Sequence, residues 1–195
     1  MPSPRSLLVV AVALLLLELA AAGSRATVDP SPQALLPLLV SRGKAPAAAL
    51  LAQDAGASRY ASAGTGISRD DRFRAGSVTK TFVATVVLQL AAEHRLSLSD
   101  PVERHLPGLV RGAGNDGRAL TLRSLLTHTS GLYDFTRDTR GAVPVTALQA
   151  VRLALTHPPA DRGRFSYSNT NYVLLGLVVD RVTGRSYAAE AERRI

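Results

Sequence analysis

The chain has 195 residues, 46% of them apolar, and carries 23 Lys and Arg against 15 Asp and Glu. That length and composition suit a globular domain and exclude a disordered or fibrous chain, and the lack of cysteine excludes a disulfide framework or a thiolate metal site. The formal charge of +8 comes from arginines scattered singly among acidic residues, which argues against a nucleic-acid partner and leaves at most a weak attraction to an anionic cell envelope.

Arg5, the uninterrupted apolar run Leu7 to Leu17 and the small residues of "ELAAAGSRA" read as a secretory signal peptide over residues 1–26, cleaved near 22 or 26. The run is too short for the roughly 20 residues of a membrane span, so the protein is expected outside the cell. Removing it would leave a charge of about +7. Residues 27–45 form a helical lead-in, with an amphipathic segment from Asp29 to its stop at Gly43. "APAAALLAQD" and "SRYASAGTG", joined by "DAGA", predict a hairpin. After the polar loop "ISRDDRFRAG" a helix is expected from Ser77 to about His94. Asp100, with Pro101 and Glu103 behind it, reads as the cap of a short helix. "RGAGNDGRAL" reads as a Gly-rich surface loop. Thr121 caps another helix that stops near Gly131, and Pro144 to Leu155 is helical in pattern. "HPPADRGRFSYSN" reads as an extended loop, followed by a helix ending at Gly184 and a last one capped by Ser186. Helices dominate the second half, and the two strands have no later partners in the chain.

The chain spells its positive charge with 21 arginines and only two lysines, Lys44 and Lys80. Lys80 lies three residues after Ser77, which on a helix puts both side chains on one face, roughly 5–6 Å apart at Cβ. The helix behind them is apolar on nearly every side. Its Val and Thr content gives it poor intrinsic propensity, so burial must hold it. A lysine on a buried element loses proton affinity, and the positive end of the helix dipole pushes the same way. Such a lysine can take the proton of Ser77, which an arginine cannot. Tyr167 and Asn169, two apart in "FSYSNTNY", face one side of an extended segment and offer a phenol and an amide to the same pair.

Four blocks, "FRAGSVTKTF", "SLSDPVERHLPG", "LRSLLTHTSGLYDF" and "GRFSYSNTNYVLLGLVVDRVTGRSY", closely resemble in order and spacing the serine β-lactamase and D-alanyl-D-alanine carboxypeptidase superfamily, nearest its class C-like penicillin-binding branch. The resemblance runs from about Pro46 to Ile195. It implies an α+β fold of the β-lactamase/transpeptidase type, a helical subdomain packed on an antiparallel sheet. It also implies that Ser77 is the acylated nucleophile, Lys80 its partner and Tyr167 the general base or proton shuttle. Asn169 would bind the substrate amide and Lys80, and the Ser77 N–H would supply half of an oxyanion hole. The family carries a third motif, His- or Lys-Thr-Gly, on a later strand, and none follows Asn169 here. Residues 46–195 are therefore expected to form an incomplete domain whose C-terminal strands are missing from this chain.

His128 with Asp134 or Asp138 suggests a Ser-His-Asp triad, but no G-x-S-x-G elbow is present, and His128 is expected to be structural. His94, His105 and His157 have no metal-ligand spacing, and Asp70 and Asp71 read as loop residues rather than a carboxylate pair. No metal or cofactor is implied. The function expected is a secreted serine hydrolase working through an acyl-enzyme on D-Ala-D-Ala peptides, β-lactams or related amides and esters, with the peptidoglycan stem peptide as a natural partner. The alternative is a truncated, non-catalytic penicillin-binding-like fragment or pseudo-enzyme. The second oxyanion donor is worth roughly 2.7–4 kcal/mol of transition-state stabilisation. The 195-residue chain is thus expected to turn over nitrocefin or a D-Ala-D-Ala ester poorly, and steady-state turnover at rates ordinary for the family would overturn this.

Overall fold

The computed structural model describes residues 32–54, 56–139 and 146–195; the signal peptide expected over residues 1–26 and the expected helix start at Pro144 lie outside the described residues. Two compact units meet in sequence between Arg74 and Ala75.

In the first unit, helix α1 (Pro32–Ser41) packs against both strands of an antiparallel hairpin, β1 (Ala47–Asp54) and β2 (Ala57–Gly64). The pairing runs from Ala47 opposite Gly64 to Asp54 opposite Ala57. Leu36 of α1 and Ala61 of β2 are buried. Asp71 accepts the Ser68 N–H at 2.7 Å, the local turn contact of a loop aspartate.

The second unit is helical. A 3-10 turn, Gly76–Val78, leads into α2 (Thr79–Ala92), so Ser77 lies in the turn ahead of the regular helix. Helix α2 is only half enclosed. Val83, Val86, Val87 and Leu90 are buried, whereas Phe82 and Leu88 are exposed. The all-round burial expected from composition is replaced by one buried face, because the neighbouring helices cover one side.

Helix α3 (Val102–His105) has Pro101, not Asp100, at its N-cap. The Val102 N–H is taken by the Leu120 carbonyl at 2.8 Å, so no side-chain cap is needed there. The Asp100 carboxylate instead collects the Ser97 N–H at 2.8 Å, Arg104 at 2.7 Å and His105 at 2.9 Å. The "RGAGNDGRAL" segment is not an open loop. Arg111–Gly112 (β3) and Asn115–Asp116 (β4) pair through a turn with positive φ at Ala113 and Gly114, the geometry of a tight hairpin. Asn115 ties it down by donating to the carbonyls of Gly112 and His157.

Helix α4 (Leu122–Leu126) carries the expected Thr121 cap as a reciprocal box with Ser124. It stops earlier than Gly131. His128 takes the left-handed conformation at φ 57°, its N–H bonds the Leu125 carbonyl, and the Thr129 N–H reaches the Ser124 carbonyl at 2.9 Å. These are the two bonds of a Schellman stop.

The one-turn helix α5 (Thr136–Thr139) and helix α6 (Ala147–Ala154) follow, the latter capped by Thr146 with Gln149. Helix α7 (Asn169–Thr183) ends at Gly184, and α8 (Tyr187–Arg194) is capped by Ser186; both ends are where the sequence puts them. Helix α7 is the axis of this unit. It contacts α2, α3, α4, α6 and α8, and its Leu174, Leu175, Val178 and Val179 join Val86, Val87, Leu90, Leu122, Leu125 and Val151 in one core. Burying such side chains is worth about 1.5–3 kcal/mol each, which is what fixes the starting points of α2 and α7 side by side.

Between α4 and α7, Gly131 comes close against the backbone of Ala160. It has φ 77°, its carbonyl accepts the Ala160 N–H at 2.8 Å, and a Cβ there would lie 2.4 Å from the Ala160 carbonyl oxygen. Left-handed strain and overpacking each cost about 1–3 kcal/mol. Gly131→Ala is therefore expected to lower stability by roughly 2–4 kcal/mol, read from the urea midpoint, and an unchanged midpoint would contradict this close approach.

Candidate active site

Ser77 stands at the N-terminal end of α2 and Asn169 is the first residue of α7. Asn169 does not lie in the extended loop expected from sequence, because Ser168, in extended conformation, already serves as the helix N-cap. Tyr167 remains in the loop just before it. The structure brings these residues and Lys80 together. Ser77 Oγ lies 2.9 Å from Tyr167 Oη, Lys80 Nζ donates to Ser77 Oγ at 3.3 Å, and Lys80 Nζ donates to Asn169 Oδ1 at 2.7 Å. Lys80 Nζ also lies 5.0 Å from the Tyr167 ring centre and 5.6 Å from that of Tyr172. Acceptor oxygens and π faces are the surroundings that suit an ammonium group. Lys80 is half-buried rather than enclosed, since α2 is open on one side. Of the two groups facing the Ser77 hydroxyl, the phenol is the nearer.

The amide of Asn169 is held from behind by residues that the sequence reading did not place here. Asn169 Nδ2 donates to both oxygens of Asp134, at 3.2 and 3.1 Å, and to Thr136 Oγ1 at 3.3 Å. With its NH2 group occupied in this way, the carbonyl oxygen is left facing Lys80. Asp134 Oδ1 also accepts the Asn169 main-chain N–H at 3.3 Å. It thereby places a carboxylate at the positive end of α7, where Ser168 makes no capping bond of its own. A local signal for Asp134 exists: its carboxylate accepts the Thr136 N–H and hydroxyl two residues on, an Asx turn legible in "DFT". Its contact with Asn169, 35 residues away, is not legible locally.

Ser168 and Thr170 complete the seam, both donating to the Tyr133 carbonyl, at 3.1 and 2.7 Å. Burial pushes the Tyr172 phenol up from its ordinary value, and the protonated hydroxyl donates to the Leu126 carbonyl at 3.1 Å. The triad alternative has no geometry here, since the Ser77 hydroxyl faces Tyr167 while His128 Nδ1 is occupied by Ser168 N–H and Asn171. Asp138 is engaged elsewhere, with Tyr133 and His157, each at 2.8 Å. Beside Lys80 and Asn169 opens a cavity of about 490 Å³ whose walls include Val83, Phe135, Ala150, Val173 and Leu177.

A serine, lysine, tyrosine and asparagine are thus brought together at the starts of two helices. The family model described as Beta-lactamase matches residues 25–195, and the chain belongs to that family of hydrolases. The α+β, β-lactamase/transpeptidase-like fold expected from the sequence blocks is that of its structural neighbours. A D-stereospecific amidohydrolase from Streptomyces sp. superposes with a TM-score of 0.78 at 44% identity, over 84% of this chain and 52% of that one. The D-amino acid amidase from Ochrobactrum anthropi SV3 gives a TM-score of 0.70 at 28% identity, over 84% and 51%. Penicillin-binding protein 4 of Amycolatopsis lactamdurans is 35% identical over 127 residues, 64% of this chain and 33% of that protein. Protein flp of Staphylococcus aureus is 35% identical over 122 residues, 60% of this chain and 24% of that protein. The chain thus spans about half the length of these solved structures and a quarter to a third of these sequence relatives.

Asp134→Ala removes the acceptor that orients Asn169, leaving the NH2 of its half-buried amide to Thr136 alone and the Asn169 main-chain N–H without this acceptor. Hydrogen bonds to a charged group are worth about 1.5–3 kcal/mol each. The substitution is expected to cost about 2 kcal/mol or more of stability and to release the Asn169 side chain. Amide-proton NMR of the Asn169 side chain checks the second effect, and an unshifted resonance would show that Asp134 does not hold it.

Proposed function

We propose that this chain carries the acylating centre of an exported serine hydrolase acting on amides or esters built from D-amino acids, with D-Ala-D-Ala peptides and β-lactams in the same class. The observation that supports it is the Ser77 hydroxyl placed 2.9 Å from Tyr167 Oη and 3.3 Å from Lys80 Nζ, with Lys80 anchored on Asn169 at 2.7 Å. The amidase and amidohydrolase neighbours favour amides of D-amino acids, and the apolar cavity beside Lys80 suits a substrate with an apolar side chain.

In this reading Ser77 Oγ attacks the substrate carbonyl and gives its proton to Tyr167 Oη. Tyr167 takes that proton as the phenolate, whose negative charge the Lys80 ammonium, 5.0 Å from the ring centre, balances before the transfer, and Tyr167 becomes the neutral phenol. The tetrahedral adduct collapses as Tyr167 returns the proton to the leaving nitrogen or oxygen. Ser77 is left as an ester, which water then hydrolyses with the same groups acting in reverse. Asn169 binds the substrate amide while keeping Lys80 in place. The signal-like residues 1–26 support export, where the stem peptides of peptidoglycan supply D-amino acid amides.

Fluorescent penicillin and a D-phenylalanine p-nitroanilide test this reading. The purified chain is expected to become covalently labelled, and Ser77→Ala to reduce labelling by three orders of magnitude or more. Labelling that survives the substitution would remove Ser77 as nucleophile. A folded chain that neither probe labels would favour the non-catalytic, ligand-binding reading instead.

A further inference from the structure

His128 fills a position that backbone geometry would assign to glycine. It is the left-handed residue of the Schellman stop after α4, at φ 57°, where a non-glycine residue costs about 1–2 kcal/mol. What its side chain does there offsets that cost. The His128 carbonyl accepts the Ser166 N–H at 2.8 Å, and its Nδ1 accepts the Ser168 N–H at 3.2 Å. One residue thus grips the chain on both sides of Tyr167. Between those two bonds the Tyr167 ring stacks on the imidazole, with centroids 4.5 Å apart and planes at 26°.

The hydrogen-bond chain behind the ring specifies its tautomer. The Leu132 N–H donates to Ser130 Oγ at 3.1 Å, and Ser130 donates to Asn171 Oδ1 at 2.6 Å, which turns the Asn171 NH2 group onto His128 Nδ1 at 3.2 Å. Ser130, Asn171, Ser168 and His128 are all buried. Two N–H groups thus point at Nδ1, so Nδ1 must present its lone pair and the proton must sit on Nε2.

We propose that neutral, Nε2-protonated His128 is a positioning residue for the acylating pair, the platform that presents the Tyr167 hydroxyl to Ser77. This rests on the reading of Tyr167 as proton carrier. Protonating His128 would drive an N–H into the Ser168 and Asn171 donors and break the grip. The charged and titratable groups around the ring are Lys80, Asp134, Tyr167 and Tyr172. Burial and then the Lys80 charge push the imidazole below its ordinary value, against an upward pull from Asp134. The platform therefore stays intact above the ordinary imidazole value of about 6.5. It is lost as pH falls through the lowered native value, together with the stability that His128 contributes.

Three variants of the full chain separate this from a plain structural role. His128→Gly relieves the left-handed backbone but removes the platform. It is expected to slow covalent labelling of Ser77 by about tenfold to 10²-fold, the cost of misplacing a reacting group by about 1 Å. His128→Asn keeps an acceptor for the two donors without titrating. It is expected to recover part of the rate and to lose the acid limb of the wild-type rate profile. Tyr167→Phe tests the underlying reading: an unaffected rate would overturn the role of Tyr167, whereas a lowered rate beside a His128→Gly variant labelled at the wild-type rate would overturn only the role of His128. Nitrogen-15 NMR of the four histidines reads the tautomer without any turnover. One histidine is expected to hold the Nε2–H form from neutral pH to below 6.5, with the ¹³Cζ resonance of Tyr167 moving when it protonates and remaining fixed in His128→Asn. An Nδ1–H or doubly protonated His128 at neutral pH would overturn the proposal.

Discussion

The contact on which the second unit depends joins the beginnings of two helices: Lys80 Nζ to Asn169 Oδ1 at 2.7 Å, across 89 residues of sequence. Each helix start is electropositive, and a lysine ammonium is set between them. That arrangement is unfavourable without compensation. Compensation arrives as the Asn169 carbonyl dipole in front and the Asp134 carboxylate behind, which bonds the Asn169 side chain and main chain together. Asp134 is therefore both the remote cap of α7 and the counter-charge that makes the meeting of α2 and α7 tolerable. The chemistry proposed for Ser77 is built on that balance, because Lys80 can serve the hydroxyl only while Asn169 holds it in place.

A second layer sets the phenol. The loop before α7 has no regular secondary structure, and Tyr167 is 40% exposed, so packing by itself does little to fix it. What fixes it is the "HTSG" corner. His128 turns left-handed, receives main-chain N–H groups from both neighbours of Tyr167, and lays its ring under the phenol. Gly131 lets the same corner close onto Ala160. The segment set aside in sequence as structural is structural, and the structure it builds supports a proposed reacting group.

Legibility in the sequence followed the range of the forces involved. Thr121, Ser186 and Gly184 mark helix ends through contacts within a few residues, and local spacing suffices for those. Asp100 and Asn169 depart from their local expectation for the same reason inverted. The Val102 N–H bonds Leu120 rather than Asp100, and Asn169 is drawn into the helix start by Asp134, partners that no local window contains. Val78, Phe82 and Leu88 show the limit for burial: apolar composition states that a helix prefers to be covered, and only its neighbours determine which face is.

By itself the sequence determined the spacing of Ser77 and Lys80 on one face, the caps and stops of most helices, the hairpin, and a resemblance specific enough to name the family, because each of these resides in short-range geometry or in blocks of fixed order. Only the tertiary structure decided that Tyr167 stands nearer than Lys80 to the Ser77 hydroxyl, that Asp134 orients Asn169, and that His128 carries its lone pair on Nδ1 beneath Tyr167. Those facts depend on which groups come within about 3 Å of one another across 35 to 90 residues of chain. That closeness is set by the burial of α7 against its neighbours, a constraint of the whole core that no local stretch of residues encodes.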